Sequence, residues 1–538
     1  MHSFFQRLTV LPNAFLLSWG WRRRILCILC GAVSALSLPP FGLFLVLFLT
    51  IPGFVWILDG AIETTQSSYG RRAWTGFLLG WFFGFGYFLA GLWWIGAAFL
   101  VEADKFAWLM PFAVIAMPIG LALFTGAGVA VAAALWTDHR YRIVLFAAAL
   151  AMADWLRSNV LTGFPWNSFG YAVSENLVLS QTASLFGLYG LSFLVLSTCA
   201  APAVLADARP MKQRLMVVVL AAGVLAAMCV FGTIRLWATE NFFADLDIRI
   251  VQPAINQHDK WRPELREEIF QTYLDMTEAP LGGSARIGMP RLVVWPESAV
   301  PFLLSQEPGA LTRVGQALGA KTELTTGAIR AEARAESPQY FNSIFMIGND
   351  GVVTGVYDKV RLVPFGEFVP FLDVLKKIGV TNIAGPINGF ASGFSRRPIE
   401  TAGSFSFLPL ICYEIIFPGI LGSNSDRPSF LLNVTNDAWF GRTPGPYQHF
   451  AQARMRSIET GVPLIRAANT GVSAIVDGYG QVVQKLPVFE RGIIDGNLPQ
   501  RIDRTVYSRI GDVIFLIISM FTVIFSAIFR RNCVSRVN

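Results

Sequence analysis

Charged residues are scarce in this sequence. Aspartate, glutamate, lysine and arginine make up only 15% of its 538 residues, whereas 54% of the residues are hydrophobic. Soluble globular domains carry about 25% charged residues, so this composition excludes an entirely soluble protein. The scarcity is uneven, because residues 243–510 have an ordinary globular composition and the flanking regions consist of long apolar runs.

The apolar runs predict eight transmembrane helices. A helix needs about 20 apolar residues to cross the hydrocarbon layer, and the run at 25–58 is long enough for two helices separated at Leu38-Pro39-Pro40. The other six helices are predicted at 74–101, 108–136, 141–156, 180–205, 214–236 and 512–529. We therefore expect a seven-helix membrane domain at 1–240, a globular domain at 243–508, and a last helix with a tail at 510–538.

Lysine and arginine are nearly absent from every second connection between these helices. The connections at 38–41, 101–107 and 158–179 contain a single lysine. The other connections and the ends contain Arg22, Arg23, Arg24, Arg71, Arg72, Arg140, Arg142, Arg209, Lys212, Arg214, Arg530, Arg531 and Arg536. Because positively charged loops stay in the cytoplasm, both termini are predicted to be cytoplasmic. Residues 243–510 then lie on the opposite side, which is the periplasm in a bacterium with two membranes.

The net charge of +7 is explained mostly by these connections. No basic stripe with interleaved aromatic residues accompanies it, so the charge does not indicate a nucleic-acid partner. A cleavable signal peptide is an alternative for the first apolar run, because arginines precede it and Val33-Ser34-Ala35 follows. The second apolar run that begins soon afterwards favours a transmembrane helix instead.

Cysteine is nearly absent from the globular region. Outside that region are Cys27, Cys30, Cys199 and Cys229 in apolar runs and Cys533 in the C-terminal tail. Cys412 alone belongs to 243–510, which excludes a disulfide framework there. It ends an apolar β-type run at 408–411 and precedes an aromatic residue and a carboxylate. A buried strand residue is the commoner fate of a free cysteine, and a reactive nucleophile is the alternative.

Strand and helix patterns alternate through the globular region. Strands are predicted at 248–253, 291–295, 324–330, 341–348, 352–358, 430–435 and 463–468, and helices at 263–277, 309–319 and 447–460. Hairpin turns are predicted at Asn349-Asp350-Gly351 and at Asp477-Gly478. This pattern predicts an α/β domain with a mixed sheet.

Three reactive residue types follow predicted strands: Glu297, Lys359 and Cys412. Strand ends are where α/β sheets gather functional groups, so we expect the three side chains to share one cleft. A thiol with a pKa of ~8.5 must lose its proton before it attacks an ester, and a carboxylate can accept that proton if its surroundings are apolar. Trp295 and Pro296 are expected to provide such surroundings for Glu297.

The oxyanion formed by this attack needs hydrogen-bond donors. The ammonium of Lys359 and the backbone N–H of Tyr413 are suitable, and one such donor contributes roughly 3 kcal/mol. A cysteine–histidine dyad is less well supported, because neither His258 nor His449 has an informative neighbourhood. Each member of the trio also fits a structural role by itself, such as a helix cap or a solvated lysine at the end of a strand.

The motifs around these residues resemble those of a known family. Trp295-Pro296-Glu297-Ser298, Tyr357-Asp358-Lys359 and Cys412-Tyr413-Glu414 resemble the Glu–Lys–Cys signatures of the nitrilase superfamily. Together with eight membrane helices, 162–166 and 433–441, they resemble the apolipoprotein N-acyltransferase family of Gram-negative bacteria. The resemblance implies a nitrilase-like αββα sandwich on a bundle of eight transmembrane helices, open to the outer leaflet of the inner membrane.

The resemblance also implies a two-step reaction. Cys412 takes an acyl chain from a phospholipid, typically phosphatidylethanolamine, and passes it to the α-amine of the diacylglyceryl-cysteine at the N terminus of an apolipoprotein. Glu297 matches the general base, and Lys359 matches the lysine that stabilises the oxyanion. The implied supporting or substrate-binding residues are Glu367, Tyr413, Glu414 and the loop tryptophan Trp261. No sequence feature calls for a metal or a cofactor.

Two other function classes remain as alternatives. A membrane-tethered amidase would use water as the second substrate, although the aromatic, uncharged segment at 158–171 favours a lipid. A transporter or scaffold with an inactive globular domain would need charges within its membrane helices, and these are nearly absent.

Overall fold

The computed structural model describes residues 12–63, 68–137, 139–237, 242–282, 289–334, 338–370, 389–401, 403–422 and 427–535. The chain forms two compact units. The first contains Met1–Thr239 and Thr505–Asn538, and the second contains Glu240–Arg504. Among the predicted cytoplasmic arginines, Arg536 lies outside the described residues, and so does the extreme N terminus.

The first unit is helical. Its main helices are α1 (Gly20–Ser34), α2 (Leu47–Glu63), α3 (Tyr69–Leu92), α4 (Met110–Ala134), α5 (Arg142–Asn159), α6 (Ala183–Ala200), α7 (Met211–Trp237) and the C-terminal helix Val513–Ser535. Short helices occupy Ala103–Phe106, Leu177–Ser180 and Val506–Ile510. Cys533, predicted in the tail, lies instead in the last turn of the C-terminal helix.

Six stretches of the described chain are long and apolar enough to cross a membrane. They are Phe44–Ile62, Tyr69–Leu100, Ala103–Ala134, Ala183–Ala206, Met211–Trp237 and Val513–Arg530. The other two predicted crossings correspond to α1 and α5. Helix α1 has only 15 residues, and α5 includes the charged residues Arg142, Asp154 and Arg157.

The charges of α5 are buried and paired. Arg142, predicted to be a loop residue, begins the helix and binds Asp59 at 3.0 Å and Asp207 at 2.6 Å. Two carboxylates therefore neutralise it and join α5 to α2. In the structure Arg157 binds Asp154 at 2.9 Å and also donates to the carbonyl of Trp166 at 2.7 Å.

The second unit contains two six-stranded sheets. The strands are β1 (Phe243–Gln252), β2 (Arg291–Val294), β3 (Thr322–Glu332), β4 (Gln339–Ile347), β5 (Val353–Asp358), β6 (Ile399–Glu400), β7 (Ser406–Ile411), β8 (Phe430–Thr435), β9 (Leu464–Ala468), β10 (Ser473–Val476), β11 (Val482–Leu486) and β12 (Gly492–Pro499). The first sheet has the order β12-β1-β2-β3-β4-β5, and the second has the order β11-β10-β9-β8-β7-β6.

Both sheets are mixed. The central pairs β1–β2, β2–β3, β7–β8 and β8–β9 are parallel, and antiparallel strands extend the sheets on either side. Parallel strands are covered on both faces, which explains continuously buried runs such as the whole of β8. The turns at 349–351 and 477–478 form hairpins as predicted.

The sheets pack face to face with helices outside them. One buried cluster contains Ile250 and Val294 from the first sheet and Phe407 and Leu432 from the second. The opposite face of the first sheet packs against α8 (Arg266–Glu278) and α9 (Pro308–Leu318). Helix α10 (Gly445–Thr460) packs against β9 in the second sheet. The layers are therefore helix, sheet, sheet and helix.

Two strands were not predicted from the sequence. β6 has two residues, which is too short for a periodic signal. β12 pairs with β1 across almost the whole second unit, with Ile250 opposite Ile494. Its sequence includes two glycines and a proline, residues that are depleted in strands.

Candidate active site

The ends of three strands carry the predicted catalytic residues. Lys359 directly follows β5, Cys412 directly follows β7, and Glu297 lies just beyond the end of β2. The backbone adopts left-handed φ angles at Cys412 (+47°) and at Ser298 (+47°). This conformation costs non-glycine residues of order 1–3 kcal/mol and is frequent at functional sites.

A glycine permits the tight turn at Glu297. Gly327 on β3 donates its N–H to the carbonyl of Pro296 at 3.2 Å, and its carbonyl accepts the N–H of Ala299 at 2.8 Å. A Cβ atom at position 327 would lie 2.5 Å from the Cα of Glu297. Only glycine therefore allows β3 to hold this turn so closely.

Lys359 lies between two carboxylates. Its Nζ donates to Oε1 of Glu367 at 2.9 Å and lies 3.7 Å from Oε1 of Glu297, and the lysine is only 1% exposed. Burial alone would lower the pKa of Lys359, but the charges of Glu367 and Glu297 outweigh it and raise the pKa above its ordinary value. The amine therefore remains an ammonium. The structure thus brings Glu297, Lys359 and Glu367 together.

Polar groups surround the carboxylate of Glu297. Its Oε1 accepts from Nδ2 of Asn342 at 2.8 Å, and its Oε2 accepts from the backbone N–H of Asn436 at 2.8 Å. The expectation that Trp295 makes this environment apolar is wrong. The indole packs in the core between the first sheet and its helices and donates to Thr277 at 2.9 Å, because the side-chain alternation of β2 continues and places Trp295 on the same face as Val293.

Cys412 is half-buried and interacts electrostatically with both Glu297 and Lys359. Burial and the negative charge of Glu297 raise the pKa of the Cys412 thiol above its ordinary value, while Lys359 and a hydrogen bond with Thr435 oppose this rise. The thiol is therefore protonated at neutral pH. Attack on a carbonyl carbon then requires a base that removes this proton.

Glu414 joins the segment after β5 to β7. The carboxylate is fully buried and accepts hydrogen bonds from the side chains of Tyr357 and Arg396 and from the backbone N–H groups of Val360, Arg361 and Ile411. These donors flank Lys359 and precede Cys412. Glu414 therefore links the backbone that follows Lys359 to the residue that precedes Cys412.

The other predicted supporting residues differ in their relation to this cluster. Glu367 belongs to it, and its Oε2 also accepts the N–H of Val363 at 2.8 Å. Tyr413 is 6% exposed and packs edge-on against Phe417. Trp261 is 47% exposed on a turn, and no hydrogen bond or aromatic contact among the described residues joins it to the cluster.

Lys260, beside Trp261, belongs to the site although the sequence did not indicate it. The lysine is fully buried, and its Nζ donates to the backbone carbonyl of Glu297 at 3.3 Å. Burial lowers the pKa of Lys260 to about 8, against the opposing effect of the Glu297 charge. A lysine in a polar loop carries no sequence signal of burial, so only the fold could reveal this contact.

His449 has a neighbourhood that the sequence did not reveal. The ring is fully buried, with Nδ1 at 2.8 Å from Oδ1 of Asp437 and Nε2 at 3.2 Å from the backbone carbonyl of Cys412. Burial and the charge of Arg466 lower the pKa of His449. The ring thus contacts the backbone carbonyl of Cys412. This contact does not identify His449 as the base that removes the thiol proton. Asp437 lies in a turn and His449 lies in the helix that follows, so no sequence motif links the two residues.

Two family descriptions match this chain. Residues 30–201 match the apolipoprotein N-acyltransferase N-terminal domain, and residues 247–507 match carbon-nitrogen hydrolase. The second match confirms the predicted nitrilase-like α/β fold. Among solved structures, an amidase from Nesterenkonia sp. is 18% identical with a TM-score of 0.35, covering 51% of this chain and 96% of its own.

Relatives of similar length are much closer in sequence. An apolipoprotein N-acyltransferase of Rhodopseudomonas palustris is 43% identical over 94% of this chain and 95% of its own length. One from Bradyrhizobium diazoefficiens is 44% identical over 95% and 96%, and one from Rhizobium rhizogenes is 41% identical over 98% and 99%. Each of these alignments covers at least 94% of this chain. This chain therefore belongs to the apolipoprotein N-acyltransferase family.

Proposed function

We propose that this chain transfers an acyl chain from a phospholipid to the α-amine of the diacylglyceryl-cysteine that begins a bacterial apolipoprotein. The observation that carries the proposal is the convergence of Glu297, Lys359 and Glu367 at Cys412 in a member of this family. A thiol beside a carboxylate and an ammonium has the groups that acyl transfer through a thioester requires. The donor is proposed to be phosphatidylethanolamine, as the sequence resemblance implies.

The first half of the reaction forms the thioester. Glu297 takes the thiol proton of Cys412, and the sulfur bonds to the ester carbonyl carbon of the phospholipid. Lys359 and the backbone N–H of Tyr413 donate to the resulting oxyanion. The bond from carbon to the glycerol oxygen then breaks, and Glu297 returns the proton to that oxygen, so a lysophospholipid leaves.

The second half consumes the thioester. The amine nitrogen of the apolipoprotein bonds to the thioester carbonyl carbon while Glu297 takes one of its protons. The carbon–sulfur bond breaks, and the proton passes from Glu297 to the sulfur of Cys412. The product is an amide, and the thiol is restored.

The proposed topology keeps eight crossings, a periplasmic second unit and cytoplasmic termini, with domains at 1–240, 243–508 and 510–538. Six apolar helical stretches support it. Helix α1 continues into the 3₁₀ turn Ala35–Ser37, which lengthens it. The charges of α5 are paired with carboxylates or arginines of the same unit, and pairing lowers the cost of placing charge within a membrane.

Labelling with a phospholipid tests the proposal. Purified protein incubated with phospholipid carrying a radioactive acyl chain should acquire a label that hydroxylamine removes, and Cys412→Ala should acquire none. Cys229→Ala, which changes a cysteine of α7, should label like the wild type. Addition of a diacylated peptide should then discharge the label into the peptide.

Two outcomes would contradict the proposal. Labelling that survives in Cys412→Ala would remove Cys412 as the nucleophile. Release of ammonia from small amides, without transfer of label to the diacylated peptide, would instead establish a membrane-tethered amidase.

A further inference from the structure

Asn342 connects the two carboxylates of the site. It lies on β4, is 3% exposed, and its Nδ2 donates to Oε1 of Glu297 at 2.8 Å and to Oε1 of Glu367 at 2.9 Å. Its backbone carbonyl accepts the N–H of Lys359 at 2.9 Å. One uncharged residue therefore touches three members of the cluster.

Few groups hydrogen-bond to the Glu297 carboxylate. Among the residues that the structure describes, its donors are Nδ2 of Asn342 and the backbone N–H of Asn436, while Nζ of Lys359 stays 3.7 Å away. Hydrogen bonds to an ionised carboxylate are stronger than those between neutral groups, and they favour its ionised form. Within the described chain, Asn342 is thus the one side chain that hydrogen-bonds to this carboxylate.

The charges around Glu297 come from several segments. Lys359, Glu367, Cys412 and Lys260 all face it, the last through the Glu297 backbone carbonyl. Two carboxylates that share one site increase each other's affinity for a proton. The amide nitrogen of Asn342 lies between Glu297 and Glu367 and offers a proton to each. One donor group therefore separates the two carboxylates.

The orientation of this amide follows from its partners. Only the nitrogen end of an asparagine side chain can donate, and both contacts are carboxylate oxygens, so Nδ2 must face them. The other end, Oδ1, is buried without a hydrogen-bond partner in the structure. A buried oxygen without a hydrogen-bond partner costs free energy. Packing alone therefore does not explain an asparagine at this position.

We propose that Asn342 is a positioning residue of the acyl transfer, which hydrogen-bonds to the Glu297 carboxylate and holds it apart from Glu367. The inference rests on the proposed function, in which Glu297 removes the proton of Cys412. Asn342 neither gains nor loses a proton during the reaction. It acts through Glu297.

The rate of thioester formation as a function of pH tests this role in the full-length protein. Asn342→Leu keeps the approximate size and removes both donors, so we expect the rate at neutral pH to fall about 10- to 100-fold. The acidic limb of the profile should move to higher pH, because Glu297 then loses its proton less readily. Asn342→Asp should move that limb further, since it adds a third carboxylate.

Asn497 provides matched controls. Its Nδ2 also donates to a carboxylate, Oδ1 of Asp247 at 2.8 Å, but it lies on β12, at the opposite edge of the first sheet from β5. Asn497→Leu and Asn497→Asp should leave the rate and the pH profile of thioester formation unchanged. If thermal unfolding shows that Asn342→Leu or Asn342→Asp does not fold, the smaller substitution Asn342→Ser is tested in its place.

The possible results separate the two proposals. Acidic limbs that coincide with the wild type in the folded Asn342 variants overturn the inference, even where the rate falls, because a purely structural defect lowers the rate without moving the limb. If the wild type itself forms no hydroxylamine-labile acyl group at Cys412, the proposed function fails and the inference fails with it.

Discussion

At the scale of single residues, the protonation states of Cys412 and Lys359 support Glu297 as the proposed base. The pKa of Cys412 is raised, so the thiol keeps its proton, and the pKa of Lys359 is raised, so the amine keeps its charge. Neither can therefore remove a proton from the other at neutral pH. Glu297, bonded to two neutral donors and close to the ammonium, is the group in this cluster that can accept it.

Glu297→Gln tests this assignment. The amide keeps the size of the side chain but cannot accept the thiol proton, so thioester formation should fall by about 10²- to 10⁴-fold, the range that general bases contribute. Single-turnover labelling with phospholipid measures the rate. Glu278→Gln, at the exposed end of α8, serves as the control. A normal thioester yield in Glu297→Gln would remove Glu297 as the base.

At the scale of elements, strand ends and one buried carboxylate create the site. Glu297, Lys359 and Cys412 follow the ends of β2, β5 and β7. β5 and β7 belong to different sheets. Glu414 bridges those two strand ends by accepting hydrogen bonds from both segments. The distance from Lys359 to Cys412 therefore depends on this carboxylate as well as on the packing of the sheets.

Glu414→Gln should destabilise the second unit. The amide would place an N–H₂ group against backbone N–H donors and would leave Arg396 without its buried counter-charge. We expect a loss of about 3 kcal/mol in the free energy of unfolding, with a lower midpoint in thermal unfolding. Glu400→Gln, at the exposed end of β6, should leave the midpoint unchanged. An unchanged midpoint in Glu414→Gln would show that the bridge is dispensable.

At the scale of the whole molecule, the two units differ in composition and in the surfaces that they expose and bury. The first unit exposes apolar helices and buries some of its charges in ion pairs, as Arg142 does with Asp59 and Asp207. The second unit has an interior of packed sheets and a polar cluster at the strand ends. A protein that brings together an acyl donor and an acceptor with lipid chains requires both environments.

Labelling of single introduced cysteines tests the proposed topology. In a background in which all six native cysteines are replaced by alanine, a cysteine at the exposed position Lys485 should react in intact spheroplasts with a maleimide that cannot cross membranes. A cysteine at Arg140, in a predicted cytoplasmic connection, should react only after permeabilisation. Reaction at Arg140 before permeabilisation, or protection at Lys485, would contradict a periplasmic second unit.

Some strands and site residues have a local sequence signal, and others do not. Strands with apolar, β-branched runs, such as β8, were predicted correctly, because burial of both faces leaves a local signal. β12 was missed because its pairing with β1 joins distant parts of the chain. Glu297, Lys359 and Cys412 were predicted as site residues because each follows a strand within a motif, and their catalytic roles remain a proposal. Lys260, Asn342 and His449 have no such local signal.

The sequence by itself determined the class of the protein. Scarce charge and long apolar runs predict a membrane protein, and the motifs around Glu297, Lys359 and Cys412 indicate the family, because these properties depend on residues that are neighbours in the chain. Only the tertiary structure decided which groups act on Glu297. It replaced the expected apolar surroundings with Asn342, Asn436 and Lys260, since hydrogen bonds between residues far apart in sequence depend on how the sheets and loops pack.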